Sequence, residues 1–345
     1  MMMVERLNEL LARFPSKRIA VVGDYFLDKY LDFDPELAEI SLETGKPANQ
    51  VVNIRHSPGA AGTVVCNLVA LRAGEVVPIG FTGDDGEGYD LRQDLAKLGC
   101  QTKYLLTIPE RRTPTYLKPQ NIRVPGLEGE QERYDTKNRD RLPTEVERRI
   151  LDSVRELLPD MDAVIVADQV EEENRGVITD AARAGLAEMA DEFPAIVFWA
   201  DSRRRIGLFR NMILKPNQRE AVKAVFPNLE GSLDYDLVQK AGRRLVERSG
   251  KPIFMTRQEQ GIIVFDRKGS EEIRGVRVEG PTDPTGAGDS VTAGAVLTLA
   301  AGGTLAEAAL MAVLVASITI QQLGVTGIAH PDQLPARLEL WREQE

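Results

Sequence analysis

Strand-helix alternation and apolar strands that end on acids predict an α/β fold built on a mostly parallel central sheet. After Asp140 a helix over 145–157 precedes Ala163-Val164-Ile165-Val166-Ala167, which ends at Asp168. A helix over 176–188 precedes Ala195-Ile196-Val197-Phe198-Trp199-Ala200, which ends at Asp201. Continuous apolar runs of this kind belong to strands covered on both faces, as in parallel sheets. The third observation is a pair of β-rich excursions, at about 30–58 and 101–135, that lack helical periodicity and predict a small separate sheet or lid.

The elements follow in order. Residues 4–14 have helical spacing. Arg18-Ile19-Ala20-Val21-Val22-Gly23-Asp24 reads as a buried strand whose carboxyl end, the ligand edge of an open parallel sheet, carries Asp24 and Asp28. In the first excursion Gln50-Val51-Val52-Asn53-Ile54 is β-like. Residues 61–73 read as a helix, 76–82 as a strand and 90–98 as a helix. In the second excursion Lys103-Tyr104-Leu105-Leu106-Thr107 and Thr115-Tyr116-Leu117 are candidate strands. Strands at 212–215, 252–256 and 261–266 and helices from 217, over 235–249 and over 290–301 complete the alternation. One domain over 1–345 is expected, with the lid formed by the two excursions.

Hydrophobic residues make up 43% of the 345 positions and charged residues 28%, which excludes a disordered chain. The net charge of -10 argues against a nucleic-acid-binding face. Cys66 and Cys100 supply no disulfide framework or metal pattern and suit a reducing cytoplasm. With only His56 and His330, a histidine-rich zinc site and a Ser-His-Asp triad are excluded; His56 reads as structural or surface. Residues 1–18 are charged and amphipathic, unlike a signal peptide. The apolar run 308–320 is too short to cross a bilayer and reads as a buried helix.

Chemistry concentrates in Asp283-Pro284-Thr285-Gly286-Ala287-Gly288-Asp289, just before a helical run. Glycines at a helix start let backbone amides face an anion, and the helix end adds positive partial charge. Asp289 can accept a proton from an attacking hydroxyl while Thr285, Gly286, Ala287 and Gly288 hold the transferring phosphoryl group. The same residues also suit a capped turn. The segment is neither a Walker A loop nor a dinucleotide fingerprint. Asn217 and Glu220 in Lys215-Pro216-Asn217-Gln218-Arg219-Glu220 suit Mg²⁺-bound water near nucleotide phosphates, and equally a helix cap. Thr256-Arg257-Gln258-Glu259-Gln260-Gly261 can run along a nucleotide or simply form a hairpin loop.

Taken in order, Asp24, Pro58-Gly59-Ala60-Ala61-Gly62, Asn217 with Glu220, and the segment ending at Asp289 resemble the ribokinase-like (PfkB) carbohydrate kinases from about 18 to 327. Gly23-Asp24-Tyr25-Phe26-Leu27-Asp28-Lys29-Tyr30, Leu214-Lys215-Pro216-Asn217 and the 256–261 segment look most like the kinase portion of heptose-phosphate kinases of ADP-heptose synthesis. The resemblance implies a three-layer α/β/α domain with a β-lid that often makes a dimer contact. It implies ATP and Mg²⁺ as cofactors, and in some members a monovalent cation. It implies Asp289 as general base, an anion hole of the Gly286 to Asp289 amides, and nucleotide or Mg²⁺ roles for Asn217, Glu220, Thr256 and Gly261. Asp24, Asp28, Gly59, Ala60 and Thr63 would hold a sugar or sugar phosphate.

Two departures fall in the substrate loop. Where the family reads Gly-Gly-Ala-x-Asn this chain has Gly59-Ala60-Ala61-Gly62-Thr63, so a methyl appears at Ala60 and an amide is lost at Thr63. Asp168-Gln169-Val170 also departs from the heptose branch. No His-x-Gly-His motif of a nucleotidyltransferase is present, so kinase activity alone is expected. Lys118, Arg123 and Arg133 of the lid are candidate phosphate cations, although strand cations are commonly solvated. Arg203-Arg204-Arg205, after the strand end at Asp201, suits a phosphate but reads rather as a solvated loop. A nucleoside kinase of the same fold and a non-catalytic ATP or sugar binder are the alternative readings.

Overall fold

The computed structural model describes residues 2–229 and 233–344. After α1 (Val4–Arg13), β1 (Arg18–Gly23) runs directly into the long β2 (Tyr25–Ile40), which pairs back with β3 (Pro47–Ala60). Then follow α2 (Ala61–Ala70), β4 (Glu75–Thr82), α3 (Gly86–Lys97), β5 (Leu105–Thr107), β6 (Thr115–Asn121) and β7 (Tyr134–Thr136). The regular half comprises α4 (Thr144–Leu157), β8 (Ala163–Asp168), α5 (Asp180–Glu192), β9 (Val197–Ser202), β10 (Ile213–Leu214), α6 (Gln218–Val225), α7 (Tyr235–Ser249), β11 (Ile253–Thr256), β12 (Ile262–Asp266) and β13 (Gly269–Ile273). Helices α8 (Ala287–Ala300), α9 (Leu305–Thr319) and α10 (Leu334–Glu343) close the chain.

The large sheet has the order β13-β12-β11-β10-β9-β8-β1-β4-β5. It is parallel from β11 to β5, and β12 and β13 turn antiparallel at one edge. Alternate residues of each strand feed two cores. Ile19, Val21 and Ile165 pack with α1, α2, α8, α9 and α10, whereas Ala20, Val22 and Val164 pack with α4 to α7. The helix layers thus lie on both faces of the sheet. The long apolar stretch before 320 is α9, buried between its neighbours, and no described helix is long and apolar enough to cross a membrane.

A second sheet, β3-β2-β6-β7, stands over the carboxyl edge of the first. Its extent differs from the expectation in both excursions. The first begins at Tyr25, because β2 continues from β1 with only Asp24 between them. The second begins at Thr115, because Leu105–Thr107 pairs with β4 and extends the large sheet instead. The helix expected from 176 starts at Asp180, because the Val177 amide donates to Asp24 and Thr179 caps the helix by accepting from the Ala182 amide. Neither β13 nor α10 is anticipated by the sequence analysis.

Candidate active site

The sheet order brings the ends of β9 and β10, the start of α8 and the lid together. Gly286 caps α8 at φ +76°, a left-handed conformation that glycine adopts without steric cost. The turn consumes part of its own donors. Ala287 N–H donates to Pro284 O and Asp289 N–H to Gly286 O, while Thr285 N–H donates to Asp283. Among the described residues only the Gly286 and Gly288 amides of the expected anion hole carry no hydrogen bond. The four-amide hole of the sequence analysis is therefore a two-amide one in this conformation, because a tight turn closes on itself before any ligand arrives.

A β-carbon placed on Gly288 would lie 3.2 Å from Lys215 Nζ, so a buried ammonium sits directly beneath the turn. Leu214 is opposite Ala200 in the β9/β10 ladder, which sets Lys215 beside Asp201, with Nζ to Oδ2 at 3.0 Å. Burial lowers the Lys215 pKa, but the charges of Asp201 and Glu220 outweigh it and the net shift is upward. Asp289 is half-buried, and burial, then Asp201, push its pKa up to about 7, against the pull of Lys215 and Arg203. An acid with that value exchanges protons near neutral pH.

Asn217 and Glu220 form a reciprocal cap on α6. Asn217 Oδ1 accepts from the Glu220 amide at 2.9 Å, and Glu220 Oε2 accepts from the Asn217 amide at 2.8 Å. The other oxygen of Glu220 remains open, and burial raises the pKa of this group against the pull of Lys215. Asn217 also bridges Thr256, whose amide donates to Pro216 O. Gly261, at φ +94°, closes the β11/β12 hairpin where any β-carbon would stand 2.1 Å from Ile273 O.

On the other wall, β2 and β6 turn Asp28, Tyr30, Tyr116 and Lys118 to one face by their register. Lys118 is buried, 3.2 Å from Asp28 Oδ1 and 3.2 Å from the Tyr30 hydroxyl. Asp28 also lies over Gly59, where a β-carbon would be 2.6 Å from Oδ2. A cleft of about 280 Å³ separates Tyr30, Arg55 and Lys118 from Asp283, Thr285 and Gly324. Asp283 accepts from the amides of Thr285 and Gly324, and these hydrogen bonds outweigh burial and lower its pKa.

The remaining expected residues are placed differently. Asp24 accepts from the amides of Gln169, Val170 and Val177, so both oxygens already hold backbone donors. Burial, then Asp168, raise its pKa to about 6. Thr63 is buried, and a β-carbon at Gly286 would lie 3.2 Å from its methyl; it packs beneath the 285–289 turn. Ala60 holds φ +54° and ψ -119°, strained for a residue with a β-carbon. Arg133 is exposed, pairs with Asp135 and stacks on Tyr116 at 4.1 Å. Arg123 pairs with Asp34 and Glu36. His56 pairs with Asp94, joining the lid to α3. The Arg203 to Arg205 run is not uniformly solvated, since Arg205 is tied to buried Asp168 at 2.6 Å by the β8/β9 strand-end packing. Lys215 and Asp201 were the sequence's missed site pair; two charges ending neighbouring apolar strands were the available signal.

Residues 134–332 match the pfkB family of carbohydrate kinases. The proteins named bifunctional protein HldE from Pelobacter propionicus and Citrifermentans bemidjiense are 29% and 30% identical over 96% and 94% of this chain. The chain spans about 65% of the length of these curated relatives. Phosphofructokinase-2 of Escherichia coli, solved with fructose-6-phosphate, superposes with a TM-score of 0.69 at 19% identity, covering 95% of this chain and 98% of that one. Ribokinase of Thermotoga maritima superposes with a TM-score of 0.67 at 18% identity, covering 94% and 99%. The ribokinase-like fold and the match over more than half the chain place this protein in the pfkB family of carbohydrate kinases.

Proposed function

We propose that the protein transfers the γ-phosphate of ATP to a hydroxyl of a sugar or sugar phosphate. The observation that carries this reading is Asp289, with a pKa of about 7, at the start of α8 above the buried Lys215. Asp289 takes the hydroxyl proton as the oxygen attacks. The Gly286 and Gly288 amides and Lys215 hold the charge that develops on the transferring group. Glu220 has an oxygen free to hold water on Mg²⁺, which fits the donor set. Bound there, the ion would neutralise nucleotide phosphate charge. Asn217, Thr256 and Gly261 line the nucleotide edge.

Asp28, Gly59 and Lys118 face the acceptor hydroxyls from the lid, with Asp24, Ala60 and Thr63 shaping the ground behind them. Asp283 and its neighbours are candidates for a monovalent cation, and a cytoplasmic setting suits the two free thiols. The resemblance to heptose-phosphate kinases favours an acceptor like heptose 7-phosphate. Val51, Ile54 and Tyr134 are exposed on the lid, and a second copy of the chain is the proposed cover, giving a homodimer.

The test is ADP release with a panel of sugars, heptose and hexose monophosphates, and nucleosides. Turnover confined to nucleosides, or ATP binding with no turnover on any member, overturns the reading.

A further inference from the structure

The net charge of this chain is -10, yet one corner of its surface reverses that balance. The corner lies at the amino edge of the large sheet, away from the candidate active site. Helices α6 and α7 both end there, β11 begins there, and the β12–β13 turn returns there, with Ile253 opposite Phe265 and Asp266 opposite Gly269. Lys223, Arg244, Arg248, Arg267 and Lys268 are exposed at this corner, and Lys251 is half-buried. None of the six makes an ion pair among the described residues. At the opposite end of the same strand pair Arg257 is held by Glu272 at 2.6 Å.

These cations are fixed in place without being neutralised. Arg248 donates to Ala224 O at 2.9 Å and Arg267 to Gly250 O at 3.4 Å, so each sits at the carbonyl end of a helix. Arg244 lies over the Phe226 ring at 4.9 Å. Carbonyls and a ring orient a guanidinium but leave its charge and its other donors unmatched. Helix-end charge accounts for Arg248 and Arg267. It does not account for Arg244 or Lys268. Lys240, Arg244 and Arg248 also stand four residues apart along α7, where like charges repel. From 237 to 251 Glu247 is the one acid in the sequence. Folding alone does not favour such a row, and a ligand of opposite charge accounts for it.

We propose that this corner docks a short acidic segment of a partner protein, a run of Asp and Glu met by cations from α6, α7 and the β12–β13 turn. The shortness of the segment follows from charge. With the cations gathered at one corner, the rest of the surface is more acidic than the net charge of -10. A long polyanion such as a nucleic acid, or the plane of an anionic membrane, would extend onto that acidic surface and be repelled. A short segment ends where the cations end. Docking at the amino edge leaves the cleft open to its substrates.

The test is the fluorescence anisotropy of a labelled octaglutamate peptide titrated with the full chain, with DNA of equal charge and anionic vesicles as comparison ligands. Lys223→Glu combined with Lys268→Glu reverses two exposed side chains that make no hydrogen bond among the described residues. Arg112→Glu combined with Arg149→Glu makes the same change in net charge at exposed positions away from the corner. Both double variants should keep the native thermal midpoint. Peptide binding should weaken about 10-fold or more in the first and less than about 2-fold in the second, and should weaken as salt rises. Equal losses in the two variants mean a diffuse field and overturn the site, as does a native protein that does not bind the peptide. Tighter binding of DNA or vesicles, lost in the first variant, overturns the acidic-segment assignment. So does self-association of the native chain that the first variant abolishes in sedimentation, since the cover is then a second copy. None of these readouts depends on turnover, so the docking site and the kinase reading fail independently.

Discussion

Beneath the 285–289 turn, Lys215 is buried with Asp201 as its salt-bridge partner, and burial raises the Asp289 pKa to about 7. Across the cleft, Asp32 takes two bonds from Arg55 at 2.8 Å and one from Asn53, and Asp34 takes two from Arg123 at the lid's rim. Both walls are charged, and the lid keeps one pair, Lys118 with Asp28, as buried as Lys215 with Asp201, while at its rim the arginines of the Asp32 and Asp34 pairs reach solvent. Burial at the turn leaves a base with a shifted pKa and a cation that cannot rehydrate when its partner is lost. The rim pairs, with Arg55 39% and Arg123 50% exposed, shape a surface without storing comparable electrostatic energy.

The sharpest way to break this contrast is Asp289→Asn. Turnover should fall about 10²- to 10⁴-fold, with ATP binding by calorimetry largely retained. Near-native turnover would reduce the turn to a helix start. In the native protein kcat/KM should rise with pH through about 7, because only the ionised Asp289 accepts a proton and its pKa is raised by burial and Asp201. A profile flat from pH 5.5 to 8.5 contradicts the assignment.

Lys215→Ala should destabilise by about 3–5 kcal/mol in urea titration, since Asp201 is left buried and unpaired. Arg55→Ala, at the lid's rim, should lose about 1 kcal/mol or less, because its side chain is 39% exposed and Asn53 still donates to Asp32. Equal losses at the two positions would erase the difference between the turn and the lid's rim. Asp24→Ala should cost about 3 kcal/mol by orphaning three amide donors, each worth ~1 kcal/mol; a loss within error of zero would mean that water replaces the carboxylate. The smallest effect runs the other way. Ala60→Gly should stabilise by about 1 kcal/mol by relieving a positive φ, read as a rise in thermal midpoint; a fall would show that unfolded-chain entropy outweighs the strain.

Much of this architecture was legible in the residues. The runs ending at Asp168 and Asp201 are β8 and β9, and the glycines before Asp289 do open α8. Asn217 and Glu220 were read both as a cap and as a site; the cap is formed, and one Glu220 oxygen stays open beside it. The 101–135 excursion misled because Leu105–Thr107 is too short to reveal which sheet it joins. Asp24 stands at the expected strand end, but the amides that occupy it come from residues about 145 positions away.

By itself the sequence determined the period of each strand and helix, the caps, and the order Asp24, Gly59, Asn217, Asp289, because these depend on neighbours within a few residues. The tertiary structure decided which of those groups remain available. The β9/β10 register set Lys215 on Asp201 and beneath Gly288, the lid register set Lys118 on Asp28, and loop packing closed around Asp24. Burial and pairing arise between segments far apart in the chain. They determine pKa and donor availability, and no local pattern records them.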